Sequence, residues 1–152
     1  MGEAPLRTRL REETNDALRA RDKVRLGALR MLSAAITNRE KELRHDLSDD
    51  EIRDVAAREV RRRSESIEAF SSGGRQDLVD KETAEREILA AYAPERLSDA
   101  EVDALVERAI AETNASSMAD MGAVMRTAMA EAKGRVDGAA VQARVRARLG
   151  SA

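Results

Sequence analysis

"LSDDEI" at residues 47–52 and "LSDAEV" at residues 97–102 are one device written twice. In each, a serine (Ser48, Ser98) stands where its hydroxyl can accept from the backbone three residues on. The glutamate at that third position (Glu51, Glu101) can reach back to the serine N–H, which completes a capping box. Leu47 can staple to Ile52, and Leu97 to Val102, across each helix start. The acids just inside, Asp49, Asp50 and Asp99, meet the positive end of the helix dipole. Two helices therefore start independently, over about 49–71 and 99–113.

Upstream, Pro5 suits the first turn of a helix, where its missing N–H is no loss. Leu6, Leu10, Ala17 and Leu18 make an inward stripe over about Pro5 to Ala20. Arg21-Asp22 breaks the pattern, and Leu29, Leu32, Ile36 and Leu43 line a second helix over about Lys23 to Arg44. The helix from Ser48 ends at "SSGGR" (71–75), where Gly73 or Gly74 can take a left-handed cap. Asp77 is placed to cap a fourth helix running to about Ala93, and Pro94 stops it. "AYAPERLSD" (91–99), a proline break followed by a fresh capped start, reads as a domain boundary. The expected fold is all-α: a domain of about four helices over residues 1–94, then a three-helix domain over residues 95–152. No alternating strand pattern interrupts it.

In the last third, Ser117 with Asp120 offers another N-cap. Met118, Met121, Met125 and Met129 recur at helical spacing beside Val124, Ala128 and Ala132. That stripe reads either as core filling or as an adaptable partner groove. "GRVDG" (134–138) is first a corner: Gly134 ends one helix and Asp137-Gly138 starts the next, which carries Val141, Val145 and Leu149.

Composition narrows the chemistry. The chain has no cysteine or tryptophan, one tyrosine, one phenylalanine and one histidine in 152 residues. Thiol nucleophiles, disulfides and cysteine-based zinc sites are excluded. An aromatic platform for stacking bases is not expected either. His45 sits in the polar loop "RHDLSDD", so neither a metal site nor a bound cofactor is expected. No serine is paired by pattern with a base, and "SSGGR" follows a helix, unlike a phosphate-binding loop after a strand. No catalytic residue is assigned. The N-terminus "MGEAPLRTRLREET" has no apolar leader core, and Leu6 stands where a myristoylation signal needs Ser or Thr. No run is long and apolar enough for a membrane span. The expected location is cytoplasmic, with no membrane partner and no oligomeric state set by the pattern.

Charge is arranged unevenly. Residues 95–120 carry seven acids against Arg96 and Arg108, a net of −5, whereas residues 121–152 carry a net of +4. Arg144 and Arg148 lie one turn apart in the final helix, and Lys133 and Arg135 lie in the corner before it. Glycines there would let a phosphate approach the backbone, and a helix N-terminus supplies free N–H groups. The basic end reads either as a solubilising face or as a site for an anion or RNA backbone. In the third helix, placement at 100° per residue puts Arg58, Arg61 and Arg62 on the solvent side. Glu59 and Arg63 fall inside the apolar stripe, one turn apart. They read as an inward ion pair that sets packing, or as a ligand-facing site between helices.

"ALRMLSAAITNREKEL", "SIEAFSSGGRQDL", "YAPERL" and "DMGAVM" followed by "KGRVDG" occur in the order that resembles the GatB/YqeY family, from about Leu6 to Leu149. The chain most closely resembles the stand-alone YqeY-like members. The resemblance implies an all-helical protein whose C-terminal unit is similar to the tail of the B subunit of the glutamine-dependent Asp/Glu-tRNA amidotransferase, the part that holds tRNA. It matches Lys133, Gly134 and Arg135 to the basic glycine corner of that tail, with Arg126 flanking. It implies tRNA as a partner, or docking on an amidotransferase or aminoacyl-tRNA synthetase as an adaptor. The family also carries a label of carbon–nitrogen ligase activity with glutamine as amide donor. The kinase and amidase sites of the larger enzyme lie in domains that these motifs do not cover, so none of their residues is transferred.

Overall fold

The computed structural model describes residues 5–150. The targeting reading of Met1 and Gly2 lies outside them. Seven α-helices and a short 3₁₀ turn, with no strand, make up the described residues. The chain divides into two compact units, Met1–Pro94 and Glu95–Ala152.

In the first unit, α1 is Pro5–Ala20, α2 is Lys23–Leu43, α3 is Asp49–Ser72 and α4 is Gln76–Ala90. Arg21 adopts φ 57° and Asp22 caps α2, its carboxylate accepting from the Arg25 N–H. Both arms of the Ser48–Glu51 capping box are present. Such a cap contributes about 1 kcal/mol, and it sets where α3 begins. Leu47 and Ile52, the expected staple, are buried in the same core. That core is Leu10, Leu29, Leu32, Ile36, Ile52 and Leu89 closed by Tyr92, the one aromatic ring in it. Each large side chain there contributes about 1.5–3 kcal/mol of burial.

Three local expectations are corrected. Leu18 is 55% exposed, so the inner stripe of α1 runs through Leu10 and Ala17 instead. Asp77 does not cap α4. Arg75 is the capping residue, and its guanidinium takes both oxygens of the Asp77 carboxylate at 3.2 Å. The helix also ends at Ala90 rather than Ala93. At the α3 end, Gly74 takes the left-handed conformation (φ 74°), which leaves Gly73 near-helical.

In the second unit, α5 is Asp99–Thr113, the 3₁₀ turn is Met118–Asp120, α6 is Met121–Ala132 and α7 is Gly138–Leu149. The Ser98–Glu101 capping box is complete. The core joins Val102, Leu105 and Val106 of α5, Val124 and Ala128 of α6, and Val141, Val145 and Leu149 of α7. Met121, Met125 and Met129 pack half-buried beside it, whereas Met118 is 42% exposed and off the stripe.

Candidate nucleic-acid interface

The α6–α7 corner is built by backbone conformation. Lys133, rather than glycine, takes the left-handed cap at φ 49°, and Gly134 follows at φ 78°. The Lys133 N–H donates to the Met129 carbonyl, and the Arg135 N–H to the Ala132 carbonyl. These bonds satisfy the end of α6 and throw the Lys133 side chain into solvent. Asp137 caps α7 by position only, with no side-chain hydrogen bond to the helix. It instead stands 3.7 Å from Arg96.

The remaining cations of this end are arranged differently from the expectation of an open basic surface. Asp99, Asp103 and Glu107 recur every four residues on α5 and face α7. Arg144 donates from Nη2 to Asp99 (2.9 Å) and from Nε to Asp103 (2.8 Å). One turn on, Arg148 pairs with Glu107. Arg108 of α5 reaches Glu131 of α6 at 2.7 Å. Arg135 is half-buried, with Nε donating to the Glu95 carbonyl at 2.7 Å, while its own carbonyl accepts from Leu97 N–H at 2.8 Å. The acidic and basic segments of the sequence thus meet as an ion-pair ladder between helices. The Asp99 carboxylate is 96% exposed, so the ladder is a solvent-screened contact of modest strength.

Of the six candidate residues, Lys133, Gly134 and Arg135 share the corner. Arg126 lies two turns before Lys133 on one face of α6. Arg144 and Arg148 are held on α5. Lys133 and Arg126 are exposed and have no ion-pair partner among the described residues. Arg146, outside the candidate set, is exposed in the same way.

Glu59 and Arg63 in the first unit are buried and joined at 2.7 Å. α4 adds carboxylates that the sequence reading missed: Glu85 at 3.7 Å and Glu82 at 3.9 Å from Arg63 Nε. The signal was available, because Glu85, Leu89 and Tyr92 follow one another at spacings of four and three. Arg63 Nη2 approaches the Met31 sulfur at 3.3 Å, and its Nε is buried with no hydrogen-bond partner among the described residues. Arg58, Arg61 and Arg62 are exposed. His45 is exposed and bonds locally, Nδ1 to the Asp46 carbonyl. Among the described residues, no group of three or more His, Asp or Glu side chains could hold a metal ion. No described helix is long and apolar enough to cross a membrane.

Sequence comparison identifies relatives over most of this architecture. The chain is 31% identical over 129 residues to altered inheritance of mitochondria protein 41, mitochondrial, of Pyrenophora tritici-repentis, covering 84% of this chain and 71% of that protein. It is 32% identical over 111 residues to the protein of the same name from Lachancea thermotolerans, and 34% over 84 residues to that from Eremothecium gossypii. It covers 71% and 55% of this chain in those two alignments, but only 59% and 46% of the relatives. These relatives are named as mitochondrial proteins, which overturns the plain cytoplasmic location expected from the N-terminal sequence. The family model described as Yqey-like protein matches residues 7–149, through all seven helices, and the chain belongs to that family.

Proposed function

We propose that this chain is a non-catalytic helical module that grips the phosphate backbone of tRNA at the α6–α7 corner. The observation that carries the reading is Lys133. It stands exposed in a left-handed helix cap beside Gly134, with no carboxylate against it among the described residues. Arg126 extends the same face, and Arg135 contributes from the corner. The likeness of "KGRVDG" to the tRNA-holding tail of the amidotransferase B subunit supports the choice of tRNA. Arg144 and Arg148 drop out of the contact set, because phosphate would have to displace Asp99, Asp103 and Glu107 to reach them. Accessory action beside an amidotransferase or aminoacyl-tRNA synthetase follows from the same likeness.

The test is a titration with bulk tRNA across a salt series. Three phosphate contacts predict a log–log slope of about −2 to −3. Lys133→Ala and Arg126→Ala should each weaken binding to every tRNA alike and lower the slope by about 1. Arg144→Ala should leave affinity unchanged and cost up to about 1 kcal/mol of stability, the worth of exposed ion pairs. A flat salt response, or tRNA binding that depends on Arg144 and ignores Lys133, would remove the proposal.

A further inference from the structure

α2 and α3 line an open groove of about 420 Å³ in the first unit. Its α2 wall presents Ala34, Ala35 and Asn38, and Met31 is 37% exposed at one end. The α3 wall presents Val55, then Arg58 and Arg62 one turn apart. Four arginines line the groove (Arg39, Arg58, Arg62, Arg63) against two carboxylates, Glu42 and Glu59. Both carboxylates are already engaged: Glu42 by Arg39 at 2.8 Å, and Glu59 by Arg63 at 2.7 Å with Arg62 at 3.5 Å. Arg63 is also met by Glu85 and Glu82 of α4, so the charge left over in the groove is that of Arg58, which has no ion-pair partner among the described residues.

We infer that this groove docks an amphipathic helix of a partner protein that carries carboxylates one turn apart. Three features select that occupant. The groove runs along the helix axes from Met31 to Glu42, about 16 Å at the α-helical rise, which is three turns of a docked helix. Its floor is small and apolar, which lets a helix backbone approach closely while Met31 adapts to its side chains. Arg58 and Arg62 stand at the spacing that meets Glu or Asp at positions i and i+4 of a helix. RNA fits less well: the arginines could meet phosphates, but the apolar surface of Met31, Ala34, Ala35 and Val55 would stay uncovered, and no aromatic ring lines the walls for a base. The inference concerns the first unit only and is independent of the tRNA reading.

A fluorescently labelled synthetic helix with an Ala/Leu stripe and Glu at i and i+4 serves as probe, with its Glu-to-Lys counterpart as control. Anisotropy on the full chain should show binding of the Glu peptide only. The Arg58→Glu/Arg62→Glu protein should lose that binding by at least about tenfold, since like charges then face each other, and should gain the Lys peptide. Ala34→Arg, which fills the groove from the other wall at an exposed position, should also abolish binding while circular dichroism stays unchanged. Equal binding of both peptides overturns the inference. So does failure of the charge swap to exchange the preference. Displacement of the peptide by bulk tRNA, with tRNA affinity lost in the Arg58→Glu/Arg62→Glu protein, would make the groove a nucleic-acid site and overturn it as well.

Discussion

Arg63→Ala is expected to destabilise the first unit by about 3–5 kcal/mol, the cost of leaving buried charge without its partner. Glu59 and Glu85 are 8% and 6% exposed, and Arg63 is the cation between them. The cost should exceed the net worth of the Glu59–Arg63 pair, because most of it is the stranded carboxylates. Glu59→Leu/Arg63→Met, which removes one carboxylate and the cation together and keeps the volume, should therefore be less destabilised than Arg63→Ala alone. Urea denaturation followed by tyrosine fluorescence measures both. The chain has one tyrosine and no tryptophan, so the signal comes from Tyr92 in the same unit. A loss below about 1 kcal/mol for Arg63→Ala, the level of an exposed pair, would mean that water reaches the site.

Tyr92→Ala should cost a similar amount, about 3–5 kcal/mol, by emptying a large core volume. The ring is 1% exposed, its hydroxyl donates to Glu13 at 2.6 Å, and the Arg9 guanidinium lies 4.8 Å from the ring centroid. Tyr92→Phe keeps the volume and isolates the hydrogen bond to a charged acceptor, worth about 1.5–3 kcal/mol. Burial pushes the Glu13 carboxyl up, but hydrogen bonds from Tyr92 and Arg9, with Arg9 and Arg25 close by, hold it below the ordinary 4.5. A depressed carboxyl contributes stability that is present above its unfolded value and is lost as pH falls through its folded value. The wild type should therefore lose stability below about pH 4.5, and Tyr92→Phe should show a shallower acid limb. Burial and the Glu13 hydrogen bond push the Tyr92 hydroxyl far above its usual value, so the bond stays intact through neutral pH. Acid limbs of equal steepness, measured by circular dichroism, would show that Glu13 is not set by Tyr92.

What was legible in the sequence follows the range of the interaction. Ser48–Glu51 and Ser98–Glu101 are three residues apart, and both boxes are in place. Glu59 and Arg63 share one helix, so angular placement alone turned them inward. Asp77 was misread because a neighbour two residues away, Arg75, competes for its carboxylate. The α5–α7 ladder was out of reach. Arg144 finds Asp99 and Asp103 across more than forty residues, and only the packed core decides which face of α5 meets α7. Read along the chain, those two segments look like an acidic tract and a basic tract. Folded, they account for each other. The groove between α2 and α3 was hidden for the same reason: the solvent-side placement of Arg58 and Arg62 was legible, but the pairing of the two helices that form its walls is tertiary.

Arg21, Arg44 and Lys133 each end or follow a helix with positive φ, between 49° and 61°, in a conformation that glycine adopts freely. A side chain there costs roughly 1–2 kcal/mol, and glycine gives back about 0.4–1 kcal/mol through the entropy of the unfolded chain. The three corners therefore hold a reserve of thermal tolerance of about 0.5–1 kcal/mol apiece that evolution or engineering could release. At Arg21 and Arg44 the gain would come without touching any residue of the proposed tRNA contact. At Lys133 the same change would stabilise the corner and remove the cation on which the proposed tRNA contact rests, so a library selected only for heat resistance should drift toward glycine there at the expense of that proposed contact.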